Sequence, residues 1–141
     1  MKKILILLAL TLISTSCFGF NISIKNGISN MPNPARGSSG WKVRLASQKN
    51  RWITGWKNLK NYGDIQTFTK QTRGANRNKP LPANIIIQIR TKGKYPVTAR
   101  ATKYFTLRKD VSGISSDKLY VIKTKFGKSG TQEDHYKLVE E

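Results

Sequence analysis

The sequence predicts an all-β single domain, an antiparallel β-sandwich or barrel-like fold of about eight short strands. Three observations predict it. Apolar residues recur at every second position in one run after another. Gly, Pro and Asn separate those runs at short intervals. No segment carries the three-and-four spacing of an amphipathic helix over a useful length.

The elements follow in order. "FNISIKN" sets Phe20, Ile22 and Ile24 on one face and Asn21, Ser23 and Lys25 on the other. The stretch from Asn26 to Gly40 is a long loop, because Pro32, Pro34, Gly37 and Gly40 forbid regular structure. "WKVRLAS" alternates again, with Trp41, Val43 and Leu45 against Lys42, Arg44 and Ala46. "RWITGW" and "GDIQTFTK" read as further strands, with Gly55 able to make a turn or bulge that reorients Trp56.

"NIIIQIRTKGKYPVTARATKYFTLRKD" is the clearest pair. A three-residue turn at Thr91-Lys92-Gly93 sets Ile89 opposite Tyr95, Ile87 opposite Val97 and Ile85 opposite Ala99. The outer face then carries Arg90 opposite Lys94, with Arg100 further along. Like charges across a strand pair are destabilising, so an anion is expected to sit there. Lys103 breaks the apolar parity of Phe105 and Leu107, which marks a bulge or a strand end near Ala101 to Lys103. "DKLYVIKTKFG" places Tyr120 and Ile122 on one face and Lys123 on the other, and "DHYKLVE" closes the chain as an edge strand.

Ahead of the domain, Lys2 and Lys3 precede the apolar run Ile4 to Ile13 and the small residues "STSCFG". This is the pattern of a bacterial signal peptide, too short for a membrane span. Cleavage after Gly19 divides the chain into a leader, 1–19, and a basic β domain, 20–141. The expected location is then secreted or periplasmic. The alternative is lipidation at Cys17, where "STSC" matches a lipobox in part. Cys17 is the sole cysteine, so cleavage after Gly19 leaves no disulfide and no thiolate metal site.

Charge is the strongest numerical signal. The chain has 26 Lys and Arg against seven Asp and Glu, a net charge of +19. From Phe20 to Lys109 there are 19 basic residues and one acid, Asp64. From Asp110 onward the balance is five against six. An AT-rich coding bias would raise Lys, but it would also raise Asp and Glu, and it does not account for eight Arg. Such a surface costs stability by self-repulsion and is read as meeting a polyanion.

The candidate anion-binding residues are Lys70, Arg73, Arg77 and Lys79 in "TKQTRGANRNKP", together with Arg90, Lys92, Lys94 and Arg100. "RWITGWKNLKNYG" adds Trp52 and Trp56 as aromatic contacts among basic residues. Trp beside Lys and Arg suits a membrane interface, and equally the stacking of unpaired bases. Either tryptophan could instead be core. No nucleophile elbow, phosphate-binding glycine loop or metal-ligand spacing occurs, and no cofactor is expected. His135 beside Glu133 and Asp134 is the lone histidine. A ribonuclease-like centre would have to combine it with Glu133 or Asp64 and a basic residue.

These features lead to an expectation of an exported, non-enzymatic, effector-like binding protein for anionic lipid headgroups or another extracellular polyanion. Nucleic-acid binding is the first alternative, and a small cationic nuclease or toxin the second.

Overall fold

A computed structural model describes residues 19–28, 41–93, 103–124 and 136–141. The expected leader up to residue 18, the centre of the long loop, Lys94, Arg100, Glu133 and His135 lie outside the described residues. Among the described residues there is no helix. Eight strands form: β1 (Ile22–Asn26), β2 (Trp41–Ser47), β3 (Lys57–Leu59), β4 (Ile65–Phe68), β5 (Ile85–Gly93), β6 (Lys103–Val111), β7 (Lys118–Thr124) and β8 (Tyr136–Glu140).

The alternation seen in the sequence becomes the inside and outside of two packed sheets. One has the order β4-β1-β7-β8 and the other β3-β2-β5-β6. Their facing sides share one core. Ile22, Ile24, Phe68, Tyr120, Ile122 and Leu138 come from the first sheet, and Trp41, Val43, Leu45, Leu59, Ile85, Ile87 and Ile89 from the second. Full burial of each such side chain is worth roughly 1.5–3 kcal/mol, which makes this face the main source of stability. Trp41 meets Tyr136 edge to face, with ring centroids 5.0 Å apart. At one rim Lys57 Nζ donates to Thr67 O and Gln66 Nε2 to Asn58 O, tying edge strands β3 and β4 together across the sandwich.

Most neighbours are antiparallel, as expected, but β1 and β7 run parallel, with Ile22 beside Lys118 and Asn26 beside Ile122. The chain leaves the first sheet after β4, builds β5 and β6 in the second, and returns as β7 in the direction of β1. Local pattern carries no information on that crossing. β8 is an edge strand, as the sequence predicts.

Two sequence expectations fail here. The first is the tight hairpin at Thr91-Lys92-Gly93. β5 runs on through Gly93, and its partner is β6, with Ile89 opposite Leu107, Ile85 opposite Val111 and Gly93 opposite Lys103. This register matches apolar residues at two of the three isoleucines but sets Ile87 opposite Lys109, so the apolar pattern alone does not find it. Lys103 begins β6, which explains the broken parity as a strand start. Arg90 therefore faces Thr106 on one side and Lys42 of β2 on the other, not Lys94. The like-charged cross-strand pair is real, with Lys42 as its second member.

The second failure is "RWITGW" as a regular strand. β2 ends in a tight turn in which Asn50 N donates to Ser47 O at 2.8 Å, and Asn50 adopts a left-handed φ of 57°. The returning chain makes one bridge, Trp52 to Ala46, and then bulges. Leu45 O accepts from both Ile53 N and Thr54 N, at 3.1 and 3.3 Å. Regular pairing resumes with Lys57 opposite Val43. The returning strand thus takes five steps where β2 takes three, an excess of two residues. An even excess preserves side-chain parity. Trp52 and Trp56 consequently both lie on the outer face, with Arg44 between them.

Candidate anion-binding site

Lys42, Arg44 and Ala46 of β2 share the outer face of the second sheet with Gln88 and Arg90 of β5, because Arg44 pairs with Gln88 and Lys42 with Arg90. Arg44 Nε donates to Gln88 Oε1 at 2.7 Å. The Arg44 guanidinium is 4.1 Å from the Trp52 ring centroid and 4.2 Å from that of Trp56. The Arg90 guanidinium is 4.1 Å from Trp56. Trp56 is thus engaged by two guanidiniums at once. The result is a stack, Trp52–Arg44–Trp56–Arg90, in which each cation meets the negative face of an indole at roughly 0.5–2 kcal/mol per contact.

The bulge holds this stack in place. Thr54 is buried, and its Oγ1 accepts from Leu45 N at 2.8 Å, a donor that the bulge would otherwise leave without a partner. Gly55 N in turn donates to Thr72 Oγ1 at 3.2 Å. The basic loop is docked from that side. Thr72 N and Arg73 N both donate to Ile53 O, at 2.8 and 3.2 Å. The loop is closed on itself by Gln71 N to Lys79 O and Asn78 N to Gln71 O, both 2.9 Å, and by the bridge between Lys70 and Pro80. Its two reversals use Gly74 and Asn78 at φ 79° and 69°. A run that reads as a solvated loop is therefore a built one, and it carries Arg73 up to the stack.

Arg44, Arg73, Arg90, Trp52, Trp56, Thr54 and Gly55 line one open cavity of about 330 Å³. Three guanidiniums converge there, and among the described residues no carboxylate lines it. Burial, then the like charges of Arg90 and Arg73, pushes the Arg44 guanidinium below its ordinary value. Each described carboxylate is engaged elsewhere. Asp110 pairs with Arg108, Glu140 with Lys118 and Glu141 with Lys123. Asp64 accepts from Asn61 N, and Asp117 from Asn21 N. Asp64 is thus a turn residue, apart from the cavity, and Glu133 and His135 lie outside the described residues.

Of the residues singled out in the sequence, Arg73, Arg90, Trp52 and Trp56 come together. Lys70, Arg77 and Lys79 are exposed on the loop but do not line the cavity, and Lys79 Nζ donates to Asn76 Oδ1 at 3.2 Å. Lys92 is described in its backbone alone, two positions beyond Arg90 on β5. Trp52 and Trp56 are not core residues. Trp52 is 52% exposed and Trp56 half-buried, and Trp41 is the tryptophan of the interior. Sequence reasoning missed Arg44, Thr54 and Gly55 as site residues. The polar face of "WKVRLAS" contained Arg44, but only the pairing of β2 with β5 shows that it meets Arg90. No family model matches the chain, and neither a curated protein nor a solved structure matches it.

Proposed function

We propose that this chain is an exported, non-enzymatic binding protein whose basic face docks on anionic membrane headgroups. The observation that carries this reading is the convergence of Arg44, Arg73 and Arg90 on one open cavity with no carboxylate among the described residues of its lining. A structural salt-bridge network mixes signs, and this one does not. The exposed Trp52 beside the cluster suits the headgroup layer, where indole and guanidinium sit together. Each exposed Lys or Arg nearby, Arg77 and Lys79 among them, adds on the order of 1 kcal/mol at an anionic membrane. The leader-like start of the sequence agrees with a target outside the cytoplasm.

The stack itself favours headgroups over unpaired bases. Sequence-tolerant binding of single strands needs aromatic faces open to successive bases. Trp56 is engaged by both Arg44 and Arg90, and Trp52 by Arg44. The indoles are occupied by the protein's own cations, which leaves little aromatic face for a stacking platform.

Co-sedimentation with vesicles tests the reading. At physiological salt the protein is expected to pellet with phosphatidylcholine vesicles containing phosphatidylserine or a phosphoinositide, to stay in solution with pure phosphatidylcholine, and to resist competing RNA. Failure to pellet with any anionic vesicle, or complete displacement by RNA, would overturn it in favour of nucleic acid.

A further inference from the structure

Resting on that reading, we infer that the cavity selects a phosphomonoester dianion over a phosphodiester or a carboxylate. The cations are the first reason. The chain has 18 Lys and eight Arg, yet all three cations lining the cavity are Arg. A field for general attraction can be made of either residue. Arg is required where a planar fork must meet two oxygens of one anion. Stacking on indole accounts for Arg44 and Arg90. It does not account for Arg73, which is held to the site by its own backbone N–H to Ile53 O and whose guanidinium makes no hydrogen bond or ion pair among the described residues.

The charge count is the second reason. A phosphomonoester carries about −1.5 to −2 at neutral pH and offers three terminal oxygens to three guanidiniums. A phosphodiester carries one charge and two free oxygens. The phosphatidylserine headgroup adds a carboxylate, but also an ammonium that three cations repel.

Shape is the third. The cavity, at about 330 Å³, falls within the size of small-ligand sites. A second cavity of about 290 Å³ shares Trp52 and Arg73 with it and is lined by Arg51 and by the neutral polar groups of Ser47, Gln71 and Asn76. Arg73 therefore stands between a compartment of three guanidiniums for the phosphate and a second one, where Ser47, Gln71 and Asn76 beside Arg51 suit the hydroxyl-bearing remainder of the ligand. That chemistry is shared by a phosphorylated lipid headgroup and a free phosphorylated polyol.

Gly55 gives a test that leaves the charge alone. A Cβ built there meets nothing closer than Arg73 Nε at 3.8 Å, so a larger side chain grows into the cavity without displacing the backbone. Binding of the purified protein to vesicles containing phosphatidic acid is compared with vesicles containing phosphatidylserine at equal surface charge. The native protein is expected to prefer the phosphatidic acid vesicles about tenfold. Gly55→Leu, of unchanged net charge, is expected to bring that ratio to about one, and Arg73→Gln to do the same. Arg77→Gln with Lys79→Gln, outside the cavity, weakens binding to both vesicles and keeps the ratio. Thermal melts of each variant separate loss of the pocket from loss of the fold.

Millimolar glycerol 3-phosphate distinguishes the sources. Displacement from the vesicles shows that the free phosphomonoester suffices, and retained binding assigns the ligand to the lipid. Both outcomes support the pocket. Equal binding to the two vesicles by the native protein, or an undiminished ratio in a folded Gly55→Leu, overturns it and leaves membrane docking standing. Calorimetric binding of glycerol 3-phosphate with no binding to any vesicle would do the reverse.

Discussion

The backbone N–H of Leu45 donates to the hydroxyl of Thr54 at 2.8 Å, across nine residues of sequence. The bond joins the interior of β2 to the bulge that turns Trp52 and Trp56 toward Arg44. Thr54→Val keeps the shape and removes the acceptor, which leaves a buried N–H without a partner. The expected cost is roughly 1–3 kcal/mol in urea unfolding. The expected side effect is a red-shifted, more quenchable tryptophan emission, since the indoles lose their hold on Arg44. Native stability with native emission would mean that the bulge does not depend on this bond.

Burial first, and then the like charges of Arg90 and Arg73, lower the Arg44 pKa, so a multivalent anion bound among the three guanidiniums relieves repulsion and stabilises the fold. A ligand at a hundredfold excess over its Kd adds about 2.7 kcal/mol. In a domain of this size the Tm is expected to rise by roughly 10 °C in saturating tripolyphosphate. Sodium chloride at equal ionic strength screens repulsion without filling the cavity and should give a much smaller rise. Arg73→Gln should flatten the tripolyphosphate response. A melt that moves equally in both salts would argue against a site.

Strand existence was legible because a sandwich writes its core into the sequence as period two. The runs holding Ile22 and Ile24, Trp41 to Leu45, and Tyr120 and Ile122 all emerge with the parity they show on paper. Register was not legible, because any even shift keeps the parity: Ile89 suits Tyr95 and Leu107 equally, and the structure uses Leu107. The site was half legible for the same reason. Arg73, Arg90, Trp52 and Trp56 announce themselves by residue type and company. Arg44 joins them through its pairing with Gln88, 44 positions away, which sets it diagonally beside Arg90 where β2 lies against β5. The bulge was foreshadowed by Gly55, but its two-residue excess rests on Thr54 replacing a ladder bond, which no local pattern displays.

Gly27 follows β1 and donates its N–H to Ile122 O at 3.1 Å. A Cβ at this position would lie 2.5 Å from Val121 Cγ1 and 2.7 Å from Ile122 O. The second contact is backbone, so it cannot be relieved by a rotamer change. Gly27→Ala therefore pushes β1 away from β7 at the parallel pairing that joins the two halves of the first sheet. The expected loss is roughly 1–3 kcal/mol, read as a lower urea midpoint at unchanged m-value. The control is Gly55→Ala, whose Cβ meets only Arg73 Nε at 3.8 Å, and which should leave stability within about 1 kcal/mol of native. Equal midpoints for the two variants would show that the β1–β7 contact has more room than the structure gives it.

Tyr120 and Glu140 place opposite pH limits on the pairing of β7 with β8. The Tyr120 hydroxyl donates to Glu140 Oε2 at 3.4 Å. Burial first, then the Glu140 charge and hydrogen bond, raises its pKa from 10.0 to about 12. A raised acid is protonated in the folded state where the unfolded chain has already lost its proton. Its contribution is present below the unfolded value and is lost as pH rises from about 10 toward 12. Glu140 behaves inversely. Its hydrogen bond from Lys118 lowers its pKa, so its contribution is present above the ordinary carboxylate value and is lost as pH falls through the depressed one. Urea unfolding across pH should therefore show an alkaline decline that Tyr120→Phe removes and an acid decline that Glu140→Gln reduces. Absorbance at 295 nm should show one fewer late-ionising tyrosine in Tyr120→Phe. An alkaline slope unchanged by that substitution would place the decline in other groups, and would mean that Tyr120 ionises without opening the β7–β8 edge.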